Sequence, residues 1–312
     1  MIPQAYPKVS IGVPVYNGQR YLETALDALL AQTYTDFELL IQDNASTDDT
    51  GNICRQYEQQ DPRVKYVRNN VNVGAAENYN LVFRRSQGKY FKWAAHDDLC
   101  APDFIAACVD VLDKDPTVVL CSGETQLVEE DGSPVQYDPK VKCYITKDGK
   151  RVGRIDPPNR AEGENPAGRY WDILVRTMRT FELFGLIRSD ILRQTILHEN
   201  YYGSDKVLLA ELSLRGRFHI IPRVLFYRRC HSGQSSRLSG AEKGQWIGHR
   251  PQGSMMTRVR ELIPAYVRVV HRAPLTMPQK LACYSAIAYR FVAPVTWHKA
   301  IQIGRYTDAP SV

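Results

Sequence analysis

Two aspartates stand side by side at residues 97 and 98, in the stretch KYFKWAAHDDLCAPDF (89–104). An apolar run that reads as a buried strand ends on them, with His96 just before and Pro102 soon after. Adjacent carboxylates repel unless solvent or a cation screens them. Oxygen-rich pairs of this kind suit Mg2+ or Mn2+, ions that complete their shells with substrate phosphates. The other reading is that the pair caps the following helix, and the pair alone does not decide between the two. A third carboxylate, Asp43, closes a second apolar run, FELLIQD (37–43). Cys230 and His231 adjoin in YRRCHSGQSS, but no second pair of ligands completes a zinc site.

The elements that must position these residues alternate. KVSIGVPV (8–15) reads as a strand, and Leu22, Ala25, Leu26, Leu29 and Leu30 then recur at helical spacing. FELLIQD is the second strand, and NASTDDT after it offers Ser, Thr and Asp as helix N-caps. RVKYV is a third strand. GAAENYNLVFRR is a helix with Ala76, Tyr79 and Phe83 on one face, and KYFKWAA is the fourth strand. Pro102 suits the opening of another helix, and TVVLCSGETQLV returns as a strand. This order predicts an α/β fold with a mostly parallel central sheet flanked by helices. Ligands of such sheets bind beyond the carboxyl ends of the strands, which is where Asp43, Asp97 and Asp98 fall.

Farther on, residues 131–166 read as loop or irregular hairpin. Helices resume in AGRYWDILVRTMRT and GSDKVLLAELSLRG, the latter with Leu208, Leu209 and Leu212 toward a core, and RFHIIPRVLFYRR is a broken strand. Beyond about residue 240 the chain is basic, with 10 Lys/Arg against 3 Asp/Glu, while the rest is nearly neutral. Val259, Leu262, Ile263, Tyr266, Val267 and Val270 form an apolar stripe opposite Arg258, Arg260, Arg268 and Arg272, with Pro264 placed to kink or restart the helix. With Trp246, Tyr289 and Trp297, this stretch either lies on an anionic membrane surface or packs on the main domain or a second subunit. The charge distribution argues against nucleic-acid binding. Seven scattered cysteines without a CxxC pair point to reduced thiols in a cytoplasm. The N-terminus lacks the pattern of a secretory signal, and no run reaches the roughly 18 apolar residues that span a bilayer.

The stretch VSIGVPVYNGQRYLETALDALLAQTYTDFELLIQDNASTDDT resembles the opening of glycosyltransferase family 2, and NVNVGAAENYNLVFRRSQGKYFKWAAHDDLCAPDF continues the resemblance. The similarity is strong over about 8–125, moderate over 180–236 and scant in the last 70 residues. It implies the nucleotide-diphospho-sugar transferase fold and inversion at the sugar carbon. By position, it implies that Pro14, Tyr16 and Asn17 line a base pocket, that Asp43 bonds the base, and that Asn72 and Gly74 border the nucleotide sugar. A simple turn at Tyr16–Asn17 and a helix-start cap at Asp43 are the alternatives. Asp98 matches the metal ligand and Asp97 a neighbour that holds ribose or metal. Ala95 stands where many members carry an earlier acid, which puts the metal's affinity in doubt. His96 either points at the nucleotide or packs at the strand end. Asp205 matches the catalytic Asp, with Ser204 in place of the usual Glu, although a carboxylate there is also a routine helix cap. His231 falls where members carry a histidine that touches metal or diphosphate. Arg228 and Arg229 are candidates for diphosphate or acceptor contacts, though a solvated strand end accounts equally well for at least one.

The resemblance thus implies an inverting transfer from a UDP- or dTDP-sugar to a hydroxyl of a glycan or lipid-linked acceptor. Mn2+ or Mg2+ stabilises the leaving diphosphate and Asp205 serves as general base. The expected division is a catalytic domain, 1–239, with a nucleotide-sugar half (1–125) and an acceptor half (126–239), then a basic helical extension, 240–312. The expected location is cytoplasmic, with possible peripheral contact at the inner face of the membrane, or a homo-oligomer, through 240–312. A sugar nucleotidyltransferase would want a Gly-rich, basic loop after the first strand, which VPVYNGQRY lacks. A non-catalytic nucleotide-sugar-binding protein of the same fold is the other alternative.

Overall fold

The computed structural model describes residues 6–153, 160–238, 240–248 and 255–292. The first half follows the alternation: β1 (Val9–Val15), α1 (Leu22–Leu30), β2 (Phe37–Asp43), α2 (Thr50–Gln60), β3 (Val64–Arg68), α3 (Ala75–Arg84) and β4 (Tyr90–Trp93). Next come β5 (Leu99–Cys100), α4 (Phe104–Lys114) and β6 (Val118–Val128). The three short strands β7 (Gln136–Asp138), β8 (Cys143–Ile145) and β9 (Arg151–Gly153) form a small antiparallel sheet of their own, where the sequence suggested loop or hairpin. The remainder is α5 (Pro166–Trp171), β10 (Leu186–Arg188), α6 (Ser189–Leu192), α7 (Ser204–Arg215), β11 (Arg217–Arg229), α8 (Gly240–Gly248), α9 (Met255–Arg272) and α10 (Met277–Val292).

Eight strands form the main sheet in the order β3-β2-β1-β4-β10-β6-β11-β5. The pairs among β3, β2, β1 and β4 are parallel, as is β6 with β11. All seven residues of β1 and of β2 are buried, as expected for strands covered on both faces. Val9, Ile11, Val13, Leu39 and Ile41 meet α1, α2 and α4 on one face, whereas Leu40, Phe91 and Trp93 meet α3, α5, α7, α9 and α10 on the other. Two strands run against the rest. β10, too short to show alternation in the sequence, slots antiparallel between β4 and β6 with Leu186 and Ile187 fully buried. β5 pairs antiparallel with β11, Leu99 opposite Tyr227 and Cys100 opposite Phe226.

Helix α7 is buried on nearly every side, including its Glu211, which pairs with Arg215 at 3.1 Å. The C-terminal helices supply part of that cover. Ala265, Tyr266, Val269, Val270 and Ala273 of α9, and Cys283, Ala286 and Ile287 of α10, enter the same core as α7. The buried stripe therefore differs from the expected one: Val267 is exposed, and Val259, Leu262 and Ile263 are only partly covered. α9 also continues as helix through Pro264, with no restart. Arg268 bonds Glu199 at 2.6 Å, so part of the basic face is tied to the main domain. The side chain of Arg258, and all of Trp297, lie outside the described residues. Among the described residues no helix is long and apolar enough to cross a membrane.

Candidate active site

The pairing of β5 with β11 presses the loop 94–98 against the end of a strand some 130 residues later. Arg228, Arg229 and His231 consequently meet the two aspartates. The Asp98 carboxylate accepts from Arg228 Nη1 at 2.8 and 2.9 Å and from the Arg229 backbone N–H at 3.0 Å. Arg229 Nε donates to the Asp97 carbonyl at 2.9 Å, and its Nη1 donates to the Glu130 carbonyl. Asp97 Oδ2 lies 2.9 Å from His231 Nε2, and Asp97 Oδ1 lies 3.7 Å from Arg228 Nη1. The Tyr21 ring backs the cluster, 4.6 Å from the His231 ring and 5.1 Å from the Arg229 guanidinium. His96 packs over Gly18, where an added Cβ would fall 2.8 Å from its ring.

The two carboxylates differ electrostatically. Burial acts to raise Asp97, but His96, the hydrogen bond from His231 and the charge of Arg228 outweigh it and hold the group below the usual range. Burial pushes Asp98 up to about 6 in spite of Arg228, and the charge of Asp97 adds to the rise. Asp98, expected as a metal ligand, pairs with Arg228 and the Arg229 N–H and lies beside Asp97 and His231. The donors that suit a divalent cation are Asp97 and His231, a carboxylate and an imidazole converging at 2.9 Å. Among the described residues no cluster of three or more His, Cys, Asp or Glu could hold a metal. The pair therefore fits an ion that draws most of its shell from a bound diphosphate and water.

Along the same sheet edge, Asp43 is fully buried. Its Oδ1 accepts from the Ser46 N–H at 2.8 Å and its Oδ2 from the Tyr66 hydroxyl at 2.8 Å, with Arg68 Nε at 3.5 Å. These bonds fix the turn after β2, the place where Asp43 was expected to contact a base. Asn44 follows it and joins a web of amides: its Oδ1 accepts from Asn69 Nδ2 at 3.0 Å and the Val73 N–H at 2.9 Å, and its Nδ2 donates to Asn72 Oδ1 at 2.8 Å. Asn72 Oδ1 also accepts the Gly74 N–H at 2.9 Å. A surface cavity of about 380 Å³ lies beside this web, lined by Arg68, Asn69, Asn70, Val71 and Val73.

Pro14 is buried in register with Gln42, and Tyr16 is exposed at the strand end. Asn17, with φ of 50°, donates its N–H to Ser46 Oγ at 2.9 Å and accepts the Thr47 N–H on its side chain at 2.8 Å. Gly74 has φ of 84°, and a Cβ there would come within 2.5 Å of the Ile247 carbonyl. That glycine lets α8 close over the start of α3.

Asp205 sits in the first turn of α7, after Gly203 at φ of 95°. Its Oδ2 accepts from Thr180 Oγ1 at 2.6 Å and its Oδ1 from the Lys206 N–H at 2.8 Å. Two residues link it to the acid pair. Tyr79 of α3 has its phenol pushed up, first by burial and then by the charge of Asp97, with Arg228 opposing and Asp98 and Asp205 adding to the rise. His198 meets Tyr79 and Trp93 edge-on at 5.2 and 5.1 Å. Burial pushes His198 down to about 4 although Asp205 acts the other way, and its Nε2 has no partner among the described residues. The sequence reading put Tyr79 with Ala76 and Phe83 on one face of α3 and passed over His198, because nothing in its spacing marks it.

Residues 10–160 match the family described as Glycosyl transferase family 2. The chain carries a domain of glycosyltransferase family 2. A glycosyltransferase of Rickettsia felis is 36% identical over 135 residues, 42% of this chain and 22% of that protein. One of Haemophilus influenzae is 24% identical over 244 residues, 77% of this chain and 70% of that protein. The chain thus spans only about a fifth of the Rickettsia relative. The fold is shared with S. aureus TarS 1–349 in complex with UDP, with a TM-score of 0.62 at 15% identity, covering 95% of this chain and 75% of that one. It is also shared with the mannosyltransferase PcManGT of Pyrobaculum calidifontis in complex with GDP-Man and Mn2+, with a TM-score of 0.58 at 17% identity, covering 99% and 78%.

Proposed function

We propose that the chain is an inverting glycosyltransferase that moves a sugar from a nucleoside-diphosphate donor to a hydroxyl of a glycan or lipid-linked acceptor. The observation that carries this reading is the cluster beyond the carboxyl end of β4, where Asp97 meets His231 and Asp98 meets Arg228 within hydrogen-bond distance. The amides of Asn44 and Asn72, with the exposed Tyr16, border the place for the nucleoside, and Asp97 and His231 would hold a divalent cation, Mn2+ or Mg2+. When bound, that ion supplies positive charge to the leaving diphosphate. Asp205 takes the proton of the acceptor hydroxyl as that oxygen attacks the anomeric carbon from the face opposite the diphosphate. Thr180 orients its carboxylate. Tyr79 and His198 wall the space between and keep water from it. Residues 126–239 belong to the acceptor side in this proposal.

Calorimetric titration of UDP and GDP, with Mn2+ and with EDTA, tests the reading on the wild type and on Asp97→Asn. Metal-dependent binding that Asp97→Asn weakens at least tenfold supports it. Neither nucleotide binding in the presence of Mn2+ overturns it.

A further inference from the structure

The small sheet β7–β9 supplies no residue to the site described above, yet it is built against it. Val135 packs with Leu127 and Cys230, and Tyr144, Val152 and Phe181 close over them. Cys230 precedes His231, and Phe181 follows Thr180, the residue that bonds Asp205. A second cavity, of about 450 Å³, lies on this sheet, within the range of small-molecule sites, about 300–1,000 Å³. The buried Glu129 forms one wall, and its neighbour Glu130 gives its carbonyl to Arg229.

The wall keeps groups open for a guest. The Tyr137 ring is 48% exposed and is braced by Tyr144, edge-on at 5.2 Å. Glu129 Oε1 accepts the Lys147 N–H at 2.8 Å, while its Oε2 has no hydrogen-bond partner among the described residues. The same holds for the Tyr137 hydroxyl and for the side-chain oxygen of Gln136, whose Nε2 donates to the Pro134 carbonyl at 3.3 Å. Charge and polarity narrow the choice of guest. Lys147 is tied to Asp131 at 2.7 Å, and Glu129 and Asp138 are acidic, so the wall does not attract phosphate or carboxylate. With Pro134, Tyr137 and Ile145 its only apolar members, it suits an acyl chain poorly. A neutral sugar ring matches what is left: its C–H face covers an aromatic ring, and its hydroxyls donate to a carboxylate and an amide oxygen.

We propose that this cavity is an outer acceptor subsite, which holds a neutral sugar residue of a glycan chain away from the hydroxyl that reacts. The inference rests on the acceptor reading above and narrows it: the acceptor is an oligosaccharide, gripped at a distance from Asp205 with Tyr137 as the platform.

The test is binding of the full chain to an array of neutral glucose, mannose, galactose and N-acetylglucosamine oligomers, from monosaccharides to hexasaccharides, with acidic chains and glycolipids beside them. Tyr137→Ala removes the platform and Tyr137→Phe keeps the ring. Glu129→Gln keeps the bond to Lys147 without the charge, and thermal melting confirms each fold. The wild type is expected to retain neutral chains over their monosaccharides. Tyr137→Ala weakens that binding about tenfold or more, whereas Tyr137→Phe keeps most of it. Glu129→Gln weakens it several-fold, and UDP and GDP affinities with Mn2+, measured by calorimetry, match the wild type in all three variants. No neutral chain bound, binding of acidic chains or glycolipids alone, or binding indifferent to Tyr137→Ala overturns the proposal. A wild type that binds neutral chains but no nucleotide overturns the donor reading and leaves the subsite standing; one that binds nucleotide but no chain does the reverse.

Discussion

At the end of β11, Asp98 meets a guanidinium through both oxygens and a backbone N–H besides. At the head of α7, Asp205 meets one hydroxyl and the N–H of its own neighbour. One carboxylate is locked by charge and the other lightly steered. The difference suits two tasks. A group that fixes the local field must not move or lose its charge partner. A group that accepts a proton during each turnover must be placed without a strong cation that would remove its basicity.

Substitutions should separate the two. Asp205→Asn is expected to lower turnover by about 10²–10⁴-fold while metal-dependent nucleotide affinity stays within about twofold, as checked by steady-state kinetics beside calorimetry. A parallel loss of nucleotide affinity would remove Asp205 from the role of base. Asp98→Ala should show the reverse emphasis, costing about 3–5 kcal/mol of stability by stranding Arg228. Urea denaturation measures that cost, and an unchanged midpoint would mean the pair contributes nothing to the fold.

His198 adds a pH dependence. Because burial lowers its folded value to about 4, the unfolded chain takes up a proton first as pH falls below about 6.5. Its contribution to stability is therefore fully present above that pH and shrinks as pH falls toward 4, by at most about 3 kcal/mol. His198→Gln should flatten that part of the stability–pH curve in denaturant titrations, and an identical slope in the variant would refute the assignment. The smallest effect belongs to Thr180. Thr180→Val should lower kcat about tenfold, the worth of one hydrogen bond to a charged group, without changing the KM for the donor, and Thr180→Ser should restore it. A change in KM alone would show that the hydroxyl serves binding.

The sheet was legible wherever strands are long and covered on both faces. VSIGVPV and FELLIQD are continuous apolar runs with helical repeats between them, and the structure follows them nearly residue for residue. β10 was not legible, because three residues carry no period, and its place is dictated by the gap between β4 and β6. In the site, the acid pair, Asp205 and His231 stood out by type and position. What the sequence could not reveal was direction. Whether Asp43 points at a ligand or into its own turn depends on the Tyr66 hydroxyl, 23 residues away. Whether Asp98 is open to a cation depends on Arg228, 130 residues away. Both partners are brought in by strand register, β2 against β3 and β5 against β11, which a linear reading does not contain.

The two-residue strand β5 also has a consequence for how the protein comes into being. It joins the acid loop to a strand that leaves the ribosome more than a hundred residues later. Contacts of such separation form late and slowly, since the intervening chain must first be ordered. A nascent chain that has completed β1 to β4 thus owns the edge that carries Asp43 and Asn44 but not its charge cluster. Until β11 docks, the two aspartates stand at the rim of a half-built sheet without Arg228 and His231.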